Sequence, residues 1–78
     1  MHQVTIYSTP SCVYCKMAKD YFKEHNISYS ERNVADDDEA RRAMVQKSNQ
    51  LGVPVIDIDG TIIVGFNKIK LAELLEIK

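Results

Sequence analysis

Glycine and proline are scarce in this chain, at three and two of 78 residues, and cysteine occurs only twice. With so few breakers there is no linker, low-complexity segment or internal repeat, and the composition is that of a soluble globular protein. Charge of one sign is also missing. Ten basic and eleven acidic side chains leave a net charge of −1, which provides neither a basic field for nucleic acid nor a polybasic patch for a membrane surface. No apolar run approaches the roughly 20 residues a bilayer-spanning helix needs. The opening MHQVTIYST lacks the basic start, continuous apolar stretch and small-residue cleavage site of a signal peptide, so a cytoplasmic location is expected. In a reducing compartment two cysteines read as catalytic or metal-binding rather than as a structural bridge.

What is present fits one small domain over residues 1–78, with 45% hydrophobic and 27% charged residues. Residues 2–8 (HQVTIYS) alternate, Val4 and Ile6 against Thr5 and Tyr7, as a strand does. Thr9-Pro10-Ser11 ends it, because proline cannot donate to a ladder and restricts the residue before it. From Val13 to Asn26 the period becomes helical, with Met17, Ala18, Tyr21, Phe22 and His25 on one stripe. Asn26 suits the left-handed conformation of a helix end. Residues 27–34 (ISYSERNV) alternate again and predict a second strand. In ADDDEA, one of Asp36, Asp37 or Asp38 caps a second helix carrying Ala40, Ala43, Met44 and Lys47 and ending at Ser48-Asn49. A calcium reading of these acids fails for want of a glycine-containing loop and a distal glutamate.

Residues 53–65 (VPVIDIDGTIIVG) predict a hairpin turning at Asp59-Gly60. Asn67 can cap a last helix with Leu71, Leu74 and Leu75 on its apolar side. The order β-α-β-α-β-β-α predicts a parallel pair joined by a helical crossover plus an antiparallel hairpin. The fold class is therefore α/β, a four-stranded mixed sheet with helices on both faces.

The two cysteines stand in SCVYCK, at the junction of the first strand and first helix. Backbone N–H groups and the positive helix end would stabilise a thiolate on Cys12. An ordinary thiol is only about 3% ionised at pH 7, whereas CxxC thiols ionise in the range of about 3.5–7.5. Cys15 follows one turn later, within bonding reach, so Cys12 is placed to attack a disulfide and Cys15 to resolve the product. Two other readings stay open here. A dimer could pool its cysteines around zinc or an iron–sulfur cluster, although zinc wants four ligands and the only imidazoles, His2 and His25, stand at an element start and an element end. The thiols could also be incidental. Lys16 and Lys19 can add positive potential, but read first as a solvated helix face.

Taken together, IYSTPSCVYCK, GVPVIDIDG and VGF before a capped helix resemble the glutaredoxins over essentially the whole chain. The resemblance implies the thioredoxin fold, Cys12 as nucleophile, Cys15 as resolving thiol, and a cis bond at Val53-Pro54 beside Cys12. It implies a substrate- or glutathione-binding role for Tyr14, Val53, Pro54, Gly65, Phe66 and Asn67. It further implies a monomer with no bound cofactor or metal, disulfide-containing protein substrates, and glutathione as a possible reductant. Phe66 reads equally as an aromatic packing over the sheet edge, and Tyr14 as an exposed residue of the first turn.

The departures from the family pattern are Thr9 where a lysine is common, Val13 for proline, Phe66 for the second glycine and Asn67 for an acid. Loss of a cation and of a flexible glycine predicts weak binding of the two-carboxylate glutathione. Cys-Val-x-Cys with Gly-Phe also resembles NrdH-type redoxins, which implies thioredoxin reductase as an alternative reductant and ribonucleotide reductase as an alternative substrate.

Overall fold

Alternation within the first strand sets the layering of the domain. In the computed structural model, which describes residues 3–76, β1 (Val4–Ser8) sends Val4 and Ile6 into one core and Tyr7 into another. The remaining elements are α1 (Val13–Glu24), β2 (Ser30–Asn33), α2 (Asp38–Ser48), β3 (Val55–Ile58), β4 (Thr61–Val64) and α3 (Lys68–Leu75). The sheet order is β2-β1-β3-β4. β1 runs parallel to β2, and the other two pairings are antiparallel. The α/β class, the mixed four-stranded sheet and the helices on both faces are as the sequence implies.

The first core joins Val4, Ile6, Ile56, Ile58 and Ile63 of the sheet to Ala18 and Phe22 of α1 and Leu71 and Leu75 of α3. The second is smaller: Tyr7, Val34 and Val55 under Ala40 and Met44 of α2. Lys47, expected on the stripe of α2, extends over that sheet face instead, with Nζ 3.2 Å from Tyr7 Oη and 3.0 Å from Asp57 Oδ2. Asp37 is the residue that caps α2, its carboxylate accepting from the Ala40 N–H. At the hairpin, Asp59 (φ 51°) and Gly60 (φ 95°) are both left-handed, as a two-residue turn matched to strand twist requires. Among the described residues no helix is long and apolar enough to cross a membrane.

Several boundaries move. His2, expected to open the first strand, lies outside the described residues. α1 ends at Glu24 rather than Asn26, with His25 as its cap and Asn26 left-handed at φ 55°. Because the Ile27 N–H still bonds back to the Phe22 carbonyl at 2.8 Å, the chain is leaving the helix where a strand was expected. Pairing starts only at Ser30, opposite Thr5. Ile27 and Tyr29 instead pack, half-buried, against the first core. Met17, expected on the apolar stripe, is 44% exposed, and Cys15 at 1% takes the buried place.

Candidate active site

β1 delivers the chain to the site through Thr9-Pro10-Ser11. The Cys12 N–H closes this turn on the Thr9 carbonyl at 3.2 Å. Cys12 is itself the N-cap of α1, with extended backbone (φ −85°, ψ 112°), and its Sγ accepts from the Cys15 N–H at 3.1 Å. A sulfur thus does what a serine or aspartate oxygen does at most helix starts. The first turn carries no acidic residue, and Sγ lies at the positive end of the helix dipole.

The two free thiols are unequally placed: Cys12 is half-exposed and Cys15 is buried. Burial is the first cause that pushes the Cys15 thiol up, to about 12; its hydrogen bond to Cys12 adds to this, while the Thr9 backbone and the Lys19 charge work the other way. One sulfur is open to attack a substrate. The other keeps its proton behind it.

The other sequence-derived residues gather less tightly. The Val53-Pro54 bond is cis. Continuing the β1–β3 register beyond Tyr7↔Val55 sets buried Pro54 opposite Ser8, at the sheet end that carries Cys12. The Pro54 carbonyl accepts from the Gly65 N–H at 2.8 Å, and Gly65 holds φ 84°, which side-chain-bearing residues rarely adopt. Phe66 is half-buried with its ring edge-on to Tyr21 at 5.9 Å, so the packing reading describes it. Asn67 caps α3, its Oδ1 accepting from the Lys70 N–H at 3.1 Å. Val13 and Tyr14 are 68% and 63% exposed. With Met17 they leave apolar surface around the open sulfur.

A shallow groove of about 200 Å³ between α1 and the start of α3 is lined by Met17, Asp20, Tyr21, Glu24, Phe66 and Lys68. A larger hollow of about 320 Å³ lies at the opposite end of the sheet, around Gln3, Thr5, Ser28 and Ser30, away from the sulfurs. Among the described residues no three His, Cys, Asp or Glu side chains come together as a metal site.

Sequence reasoning missed a polar cluster behind Cys15. Lys19 is half-buried and paired rather than free on a solvated face: its Nζ is 2.7 Å from Glu31 Oε2, which also accepts from Ser8 Oγ at 2.8 Å. One signal was present, since Ser8 interrupts the face that Val4 and Ile6 begin and is nonetheless 1% exposed.

Comparison with known proteins follows the same lines. A glutaredoxin-like 8.6 kDa protein from the rubredoxin operon of Clostridium pasteurianum is 53% identical over 73 residues, covering 94% of this chain and 97% of that one. The glutaredoxin-like protein NrdH of Lactococcus lactis subsp. cremoris is 36% identical over 74 residues, covering 91% and 97% respectively. The crystal structure of the thioredoxin-like protein BC3987 superposes with a TM-score of 0.86 at 31% identity, covering 91% of this chain and 97% of that one. A glutaredoxin from Archaeoglobus fulgidus shares the fold, with a TM-score of 0.81 at 22% identity over 96% and 87%. The glutaredoxin family model matches residues 4–63, and with the cysteine pair lying inside that span, this chain belongs to the glutaredoxin family.

Proposed function

We propose that the protein is a dithiol reductase of protein disulfides, in which Cys12 attacks and Cys15 resolves. Family membership carries the reading as far as a thiol–disulfide oxidoreductase. The division of labour rests on one observation: Cys12 is half-exposed at the N-cap of α1, while Cys15 is buried with its thiol pushed up to about 12. The Cys12 sulfur attacks a substrate disulfide and one substrate thiol leaves. Cys15 then loses its proton, attacks Cys12 Sγ and expels the second substrate thiol, so the substrate gains two electrons and the protein carries a disulfide. Electrons pass through the two sulfurs alone, without a resident metal or cofactor.

The surface around Cys12 favours a protein partner over glutathione. Val13, Tyr14 and Met17 offer apolar contact. Thr9 brings no cation, Phe66 is engaged with Tyr21, and the Asn67 carbonyl oxygen is spent on its cap. A thioredoxin-reductase-type flavoenzyme is the reductant this arrangement suits.

The test is a side-by-side reduction of the oxidised protein by glutathione and by thioredoxin reductase, with insulin as the terminal disulfide. Faster reduction by the enzyme is expected. Cys12→Ser should be inert and Cys15→Ser should accumulate a mixed disulfide. Glutathione-driven turnover at full family rates would refute the choice of reductant, and activity in Cys12→Ser would refute the assignment of roles.

A further inference from the structure

Lys19 stands one helical turn after Cys15 and is the one lysine of α1 that is half-buried; Lys16 and Lys23 are exposed. Its tether has two parts. Glu31 of β2 holds Nζ at 2.7 Å, and Ser8, the buried last residue of β1, holds the same carboxylate oxygen at 2.8 Å. Three elements thus converge on one ammonium at the sheet end that carries the cysteine pair. Glu31 is drawn well toward its charged form by these two bonds, and Lys19 toward its own.

Resolution is the step that needs such a charge. In the free dithiol the Cys15 thiol is hydrogen-bonded to Cys12. Once Cys12 is joined to a substrate, that sulfur is neutral, and the Cys15 proton must depart and leave an anion inside the protein. The groups acting on Cys15 are Cys12 and Lys19 of α1 and the Thr9 backbone; Glu31, Tyr29 and Lys23 act in turn on the Lys19–Glu31 pair. Lys19 is the cation among those that act directly on Cys15.

We propose that Lys19 is a positioning residue for resolution: its ammonium supplies the counter-charge to the Cys15 thiolate, and Glu31 and Ser8 hold it in place. The inference rests on the roles given above to Cys12 and Cys15. In the step itself the Cys15–Cys12 sulfur bond forms, the bond from Cys12 to the substrate sulfur breaks, and the bonding pair leaves on that sulfur. The Cys15 proton ends on the departing thiol or, when an aryl thiolate leaves, in the buffer.

Stopped-flow reaction with a chromogenic aryl disulfide, dithiobis-nitrobenzoate, separates the two steps, because each releases one aryl thiolate. Lys19→Gln should keep the first phase within about twofold. Its second phase should slow about tenfold at pH 7, with the pH midpoint raised by about one unit, the shift that corresponds to tenfold in thiolate population. Lys19→Arg should restore both values, and Glu31→Gln should slow the second phase by a smaller factor, about threefold. A second phase unchanged in rate and midpoint in Lys19→Gln would overturn the inference. So would parallel slowing of both phases, or failure of arginine to rescue, since either marks a structural role. Failure of the underlying roles shows separately, as a first phase that survives in Cys12→Ser, and removes this inference with them.

Discussion

Raising the pH should destabilise this protein through Cys15 before the lysines contribute. Its thiol is held at about 12 in the folded chain against an ordinary 9.0. The folded state therefore binds that proton more tightly than the unfolded state. The stabilisation is fully present below pH ~9 and is lost as pH rises toward about 12. Integrating between those values gives a loss on the order of 1 kcal/mol at pH 10, growing further by pH 11. For a domain of this size a loss of about 1 kcal/mol corresponds to a fall in Tm of about 4–8 °C. Lys19 and Lys47 are also raised above their ordinary 10.5 by their carboxylate partners, so their stabilisation fades at still higher pH. The assay is denaturant unfolding under reductant, comparing the native sequence with Cys15→Ala at pH 8 and pH 10. The variant keeps both lysines and Cys12, so the difference isolates the buried thiol. The native sequence should lose on the order of 1 kcal/mol more than the variant over that interval. Parallel losses in the two proteins would show that burial does not hold the Cys15 proton.

Phe22→Ala, at the centre of the larger core and fully buried, should cost about 3–5 kcal/mol in urea unfolding; a loss below about 1 kcal/mol would contradict the assigned core. Asn67→Ala should cost about 1 kcal/mol by removing the α3 cap, whereas Asn67→Asp should retain it, as read by thermal melts. Phe66→Gly frees the position beside Gly65 from its contact with Tyr21 and should raise glutathione-driven turnover while lowering stability. Unchanged glutathione kinetics would show that Phe66 is not what limits the thiol.

How far the chain could be read before folding depended on whether a residue acts locally. Asp59-Gly60, Asn26, Asn67 and the Cys12 position declare themselves through turn and cap chemistry with near neighbours in sequence, and each is found in that role. The strand expected over 27–34 misled because alternation of Ile27, Tyr29 and Glu31 looks the same whether a segment is paired or is still leaving a helix. The tether that keeps Ile27 on Phe22 is a tertiary choice. Met17 and Cys15 exchanged places because a small thiol is not counted as apolar when a helical stripe is drawn. The Ser8–Glu31–Lys19 cluster was the least legible part. Its members lie 23 and 12 residues apart, and only the parallel pairing of β1 with β2 gathers them.

The cap on α1 joins the chemistry of the site to the breathing of the backbone. Cys12 Sγ holds the Cys15 N–H only while it remains a good acceptor, and a sulfur locked in a bond to a partner is a poorer one than the unbound sulfur. Each turnover should therefore loosen the first turn of α1 and tighten it again. Amide hydrogen exchange at Cys15 should follow the oxidation state of its neighbour.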